Sequence, residues 1–151
     1  MVFTFVDEII ELVPGKTIRA KKWIREDEEI FEVHYPGFPV VPGTFLAEMM
    51  AQTAGRCLDA EQKTRGLAML AQIRSAQFRK YVGPSQMAVI DGKIRTNRDS
   101  YATAGCSVEI NGETACTAEL MFTFIGLDKL SPVFRDDVLA AYLAKTTHSK
   151  E

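Results

Sequence analysis

Residues 44 to 60 read TFLAEMMAQTAGRCLDA, and this run constrains the fold more than any other. It is rich in Ala, Leu and Met and contains no proline, so it favours helix. Phe45, Leu46, Met49, Met50, Ala54, Cys57 and Leu58 occupy most of the helical circumference, and Ala47 and Ala51 extend it. A helix that is apolar on most sides must be buried on most sides. The rest of the chain has to supply the cover.

Most of that remainder reads as strand. KTIRAKKWI puts Ile18, Ala20, Lys22 and Ile24 on one side, and EEIFEVH is expected to be a second extended run ending at His34. LAMLAQIRSAQF and QMAVIDGKIRT follow the helix as strands. The clearest element is the hairpin in YATAGCSVEINGETACTAELMFTFI, where Asn111-Gly112 separates two alternating runs. Ala102, Ala104, Cys106, Ala115 and Ala118 are small, which lets a helix approach the sheet closely. Phe5 to Leu12 is expected as a short helix ended by Pro14-Gly15. A second amphipathic helix is expected from Ser131, carrying Val133, Phe134, Val138, Leu139 and Tyr142, with a frayed end at KTTHSKE. These elements predict one α+β domain over residues 1–151, a curved antiparallel sheet wrapped round a central helix, with 127–151 as a C-terminal extension.

Composition excludes several functions. Hydrophobic residues make up 46% and the net charge is -2, so no nucleic-acid partner is expected. No apolar run is long enough for a membrane helix, and the acidic N-terminus does not resemble a signal peptide. Cys57, Cys106 and Cys116 have no CxxC spacing and are expected to be reduced thiols of a cytoplasmic protein. The only histidines, His34 and His148, lack ligand spacing, so no metal and no cofactor are expected.

The residues before the helix suggest chemistry. HYPGFPVVPG places Pro36, Pro39 and Pro42 directly after His34 and constrains Tyr35, Phe38 and Val41 to extended backbone. Pro36-Gly37 suits the centre of a type II turn. Such stiffness holds His34 in a fixed relation to the helix start. Gly43 stands at that start, where amides lack intrahelical partners and no side chain blocks a ligand oxygen. That is the geometry of an oxyanion hole. Glu48, Gln52 and Arg56 form a narrow polar stripe along the apolar helix. A desolvated carboxyl group is suited to hold and donate a proton, and a histidine to accept one. Acid, base and oxyanion hole together suit removal of a proton α to a carbonyl, coupled to loss of a β-hydroxyl.

HYPGFPVVPGTFLAEMMAQ, from His34 to Gln52, resembles the active-site signature of the FabZ-type 3-hydroxyacyl-acyl-carrier-protein dehydratases. That pattern is roughly H-(F/Y)-P-G-x-P-(V/I)-x-P-G-x-x-x-x-E-(A/M)-x-A-Q, and the match has no gap. FVDEIIELVPGKTIRAKK, FRKYVGPSQM and AELMF are similar to flanking family segments. The resemblance implies a hot-dog fold and dehydration of a 3-hydroxyacyl thioester to the trans-2-enoyl thioester in fatty-acid or related acyl-chain biosynthesis. It implies His34 as base, Glu48 as acid, Gly43 as carbonyl-binding amide and Gln52 as an ordering residue, with Tyr35 and Phe38 as substrate contacts. It also implies an acidic acyl carrier protein as partner, with Arg74, Arg79 and Lys80 as its candidate docking residues. A homodimer, or a trimer of dimers, is implied, with His34 and Glu48 meeting across the two-fold axis. The competing readings are a hot-dog acyl thioesterase and a non-catalytic acyl-binding protein. Three departures stand out: Glu8 occupies a position where the family run has Arg, YVGPSQ replaces V-x-P-G-D-Q, and the tail from Leu127 runs past the usual end.

Overall fold

The computed structural model describes residues 4–132 and 134–148. Six strands form one antiparallel sheet: β1 (Glu8–Val13), β2 (Thr17–Ile24), β3 (Leu67–Phe78), β4 (Gln86–Asn97), β5 (Ala102–Ile110) and β6 (Glu113–Ile125). Their spatial order is β1-β2-β4-β5-β6-β3, so β1 and β3 are the edges. One-turn helix α1 (Ile30–Val33) and central helix α2 (Gly43–Asp59) lie between β2 and β3 in sequence, and α3 (Asp137–His148) ends the described chain.

Met50, Ala54 and Cys57 of α2 are fully buried, as are Ala88, Ile90, Ala102, Ala104 and Leu120 from the sheet face that receives the helix. Small residues bring the two layers together. A Cβ at Gly92 would lie 3.6 Å from the Ala54 Cβ and 3.0 Å from Ile18 Cγ2, so that position is filled to contact without any side chain. The hot-dog architecture expected from the sequence is therefore the observed one: a curved sheet around a central helix. Asn111 and Gly112 both have positive φ, 52° and 77°, as the two-residue hairpin between β5 and β6 requires.

Three local expectations are corrected. Residues 8–13 form strand β1 rather than a helix; Ile9 pairs with Ala20 and Leu12 with Ile18, and a bulge between Ile9 and Glu11 absorbs the irregular spacing. The apolar residues there satisfied helical spacing, but ladder pairing with β2 prevailed. The run before His34 is helix α1, not strand. Both edges of β2 are already occupied by β1 and β4, so the segment folds over the sheet and buries Phe31. The last helix starts at Asp137 rather than at Ser131. Asp136 Oδ1 accepts the Leu139 N–H at 3.1 Å and so caps it. Phe134 precedes it and is exposed, whereas Val133 lies outside the described residues. The helix continues through Lys145–His148, where fraying was expected, and residues 149–151 lie outside the described residues.

Helix α3 packs on β1. Leu139 is buried with Ile9, Ile18 and Cys57 in a small second core. Arg56 of α2 donates from Nε to Asp136 Oδ1 at 3.1 Å, which ties the start of α3 to the polar stripe of the central helix.

Candidate active site

His34 follows α1 directly, its N–H donating to the Ile30 carbonyl at 3.0 Å. Its side chain is exposed, and its ring meets Tyr35 edge-on at 4.5 Å. Tyr35 to Phe38 form the expected type II turn: Gly37 has φ 84°, and the Phe38 N–H donates to the Tyr35 carbonyl at 2.9 Å. Phe38 in turn meets Tyr81 edge-on at 5.8 Å. Val40 and Val41 then dive into the core, and the Val41 N–H donates to the Val82 carbonyl at 2.7 Å. The stiff loop is thereby fastened to the segment after β3 as well as to its own helices.

Pro42 caps α2 in extended backbone, φ -55° and ψ 141°, and Gly43 is the first helical residue. The Phe78 ring covers Gly43: a Cβ there would lie 3.3 Å from two ring carbons. The ring therefore takes the place of a Gly43 side chain, beside the partial positive charge of the helix start.

Glu48 is half-buried one and a half turns further on. Its Oε1 accepts from Gln52 Nε2 at 3.0 Å, and Gln52 Oε1 accepts the Phe5 backbone N–H at 2.9 Å. Glu48 opens into a groove of about 200 Å³ that follows the helix stripe past Gln52 to Arg56, Asp59 and Asp136. Ala68 and Leu70 of edge strand β3, together with Phe122, form its apolar wall. Two larger cavities contain neither His34 nor Glu48. One lies over the polar outer face of the sheet near Asp91 and Arg95, the other beside Phe5, Lys22 and Trp23.

Within one chain, no hydrogen bond or ion pair joins His34 to Glu48 among the described residues. The basic residues also diverge. Arg74 Nη2 lies 3.8 Å from Met121 Sδ, Arg79 Nη2 donates to Gln77 Oε1 at 2.9 Å, and Lys80 is ion-paired to Glu113. The thiols are not candidates for nucleophilic chemistry. Burial pushes Cys57 and Cys116 up to about 11 and Cys106 up to about 12, so all three stay protonated near neutrality. Phe78 and the Phe5 amide belong to the surroundings of the site and were not singled out from sequence. A backbone donor 47 residues from its acceptor leaves no sequence signal.

A family model described as "FabA-like domain" matches residues 1–119. The chain belongs to the FabA-like family. Curated relatives in this family carry the name 3-hydroxyacyl-acyl-carrier-protein dehydratase FabZ. The one from Lactobacillus helveticus is 36% identical over 119 residues, covering 78% of this chain and 80% of the relative. One from Listeria monocytogenes is 31% identical over 128 residues, 84% of this chain and 89% of the relative. Solved structures agree on the fold. The dehydratase heterocomplex ApeI:P from Xenorhabdus doucetiae superposes with a TM-score of 0.66 at 14% identity, over 84% of this chain and 86% of that one. The E. coli PaaI protein superposes at 0.63 and 11% identity, over 79% of each. The FabA-like match ends at residue 119, inside β6, so α3 lies beyond the matched segment.

Proposed function

We propose that this FabA-like protein is a dehydratase that converts a carrier-bound 3-hydroxyacyl thioester to the trans-2-enoyl thioester in acyl-chain biosynthesis. The observation that carries the reading is Glu48: a half-buried carboxyl on an otherwise apolar helix, held by Gln52 and open to a groove. Curated relatives that share this framework are named as such dehydratases.

The thioester carbonyl oxygen lies at the Gly43 amide, where the helix N-terminus stabilises the charge that develops on it. His34 removes a proton from C2. The C–H electron pair becomes the C2–C3 double bond, and the C3–O bond breaks. Glu48 protonates the departing hydroxyl, which leaves as water. His34 ends as imidazolium and Glu48 as carboxylate, and a proton exchanged through water restores both. Tyr35 and Phe38, exposed on the turn beside His34, flank the incoming substrate.

Each site draws on two chains. His34 is exposed, and among the described residues no hydrogen bond or ion pair joins it to Glu48 of its own chain. Edge strand β3 exposes Met69, Leu70 and Ile73, and its Ala68 and Leu70 also wall the Glu48 groove. An unpaired apolar edge favours addition of a second strand. A second copy pairing there across a two-fold axis reaches the groove and supplies His34 from the other chain. Arg74 and Arg79 sit on and after β3 and offer positive charge to an acidic carrier protein. Three buried free thiols suit a reducing cytoplasm.

Two measurements test this. Incubation with 3-hydroxybutyryl and 3-hydroxydecanoyl thioesters should produce enoyl absorbance; free thiol without it would indicate a thioesterase instead. Equal amounts of inactive His34→Ala and Glu48→Ala proteins, allowed to exchange subunits, should regain about a quarter of wild-type sites, since half the dimers are hybrids with one intact site each. Hybrids confirmed by mass spectrometry but without activity would refute the shared site.

A further inference from the structure

The groove beside Glu48 has a direction and an end. Gly43 and Glu48 stand about 7.5 Å apart along the axis of α2, at about 1.5 Å per residue. A thioester carbonyl at the Gly43 amide and a C3 hydroxyl at Glu48 set the acyl chain running from the helix start towards its C-terminus. Carbons beyond C3 therefore continue towards Gln52 and Arg56, which is where the groove leads. Ala51, Gly55, Ala68, Leu70 and Phe122 line it there, and none of them has a polar side chain. The far end is different. Arg56 Nε lies 3.1 Å from each carboxylate oxygen of Asp136, and Arg56 Nη1 donates to the Gln52 carbonyl at 3.2 Å. The pair is mostly buried, its side chains 12% and 21% exposed. Asp59 lines the groove beside it.

We propose that the Arg56–Asp136 ion pair is the floor of an acyl groove and limits this protein to 3-hydroxyacyl chains of about ten carbons or fewer. This rests on the roles proposed above for Gly43 and Glu48. Length and volume give the same limit. The Gln52 carbonyl that holds the guanidinium is four residues past Glu48, about 6 Å along the axis. An extended chain advances about 1.3 Å per carbon, so about five carbons fit between C3 and the guanidinium. The groove volume of about 200 Å³ holds about six or seven methylenes, if each takes about the 30 Å³ of a water. With C1 to C3 added, the total is about eight to ten carbons. A longer chain must push the guanidinium aside, and separating a buried pair leaves each charge without its partner. Arg56 belongs to the central helix, whereas Asp136 lies just before α3 and beyond the segment that the FabA-like model matches. The tail thereby becomes a specificity element of the same site.

The test measures kcat/KM on one carrier protein loaded with 3-hydroxybutyryl, 3-hydroxyoctanoyl or 3-hydroxypalmitoyl chains, so that docking is common to all three. In wild type the sixteen-carbon chain should react at least about tenfold less well than the eight-carbon chain, and a smaller difference overturns the proposal. Arg56→Ala combined with Asp136→Asn removes the guanidinium and both charges and keeps an oxygen to cap α3. The ratio of sixteen-carbon to four-carbon activity should then rise at least about tenfold. A loss common to both chains cancels in that ratio, and a smaller rise overturns the floor. If the double variant does not fold, Gly55→Ala decides. Alanine is favoured over glycine in a helix, and its Cβ would lie 3.9 Å from Ala68 Cβ and Phe122 Cε1, in ordinary contact. It narrows the groove between Glu48 and Arg56, so the ratio of eight-carbon to four-carbon activity should fall at least about fivefold, and a smaller change overturns the proposal. Failure of the underlying reading looks different. No enoyl product from any chain removes the dehydratase assignment, whereas product from all three at similar rates removes only the floor.

Discussion

Asp59 closes the far end of the Glu48 groove, and it should make the protein less stable as pH rises. It is the last residue of α2, and its Oδ1 accepts the Ala68 N–H at 2.8 Å. Burial pushes its pKa from the ordinary 3.8 up to about 6, and the nearby Asp136 charge adds to this. The Ala68 hydrogen bond and the Arg56 and Arg65 charges pull the other way without cancelling it. In the unfolded chain the group returns to its ordinary value. Between those two values the folded state holds the proton more tightly, so stability is greatest below the unfolded pKa and falls as pH rises through the folded one. Going from pH 5 to pH 8, the loss through this one group is about 1.5 kcal/mol. Asp59→Asn keeps the oxygen that accepts from Ala68 and removes the charge. Urea unfolding at fixed protein concentration should therefore show the variant gaining on wild type by about 1.5 kcal/mol between pH 5 and pH 8. The gain should fade below about pH 4, where both proteins carry a neutral group at this position. A stability difference that does not change with pH would refute the reasoning, because it would mean that the folded chain holds the Asp59 proton no more tightly than the unfolded one.

Two further outcomes follow from the surfaces around the groove. Ile73→Lys, placed on the exposed apolar edge of β3, should convert the proposed dimer to monomer in light scattering and abolish activity with it; a full-size dimer would remove β3 as the pairing edge. Arg74→Glu with Arg79→Glu should raise KM for carrier-bound substrate about tenfold or more and leave a small thioester analogue unaffected, while equal effects on both substrates would indicate structural damage.

How far the fold was legible depended on whether each segment was decided locally. The Asn111-Gly112 hairpin was readable because its positive φ values are a property of two residues. Helix α2 was readable because seventeen residues agree on one conformation. The Pro36-Gly37 turn was equally local. The misread segments were decided elsewhere. Ile9, Ile10 and Leu12 suit a helix face and an edge strand alike, and only the free edge of β2 selected the strand. EEIFEVH had strand-like composition but could not pair with β2, the strand it follows, since β2 already lies between β1 and β4. At the site the same division holds. The candidate residues His34, Gly43, Glu48 and Gln52 stand within one continuous stretch and could be singled out by spacing and resemblance. The Phe5 amide, the Phe78 ring over Gly43 and the Asp136 contact to Arg56 are created by tertiary packing, and no residue type announces them.

Helix α3 and strand β1 meet in an ion-paired cluster. The Glu8 carboxylate lies 3.1 Å from Lys21 Nζ and 3.0 Å from Lys145 Nζ of α3. A cation at position 8 would instead face two lysines, so a carboxylate there suits a docked α3. The pair is exposed, so it orients more than it stabilises. Holding power comes from Leu139, whose burial against Ile9, Ile18 and Cys57 contributes about 2 kcal/mol. The other end of α3 is fixed differently, through Asp136 and Arg56, and Arg56 Nη1 also donates to the Gln52 carbonyl at 3.2 Å. Through Arg56 the tail is thus linked to the helical turn that carries Gln52, whose side chain also accepts the Phe5 N–H. Both terminal segments converge on one stripe of α2, and the acid of the proposed reaction lies on that stripe.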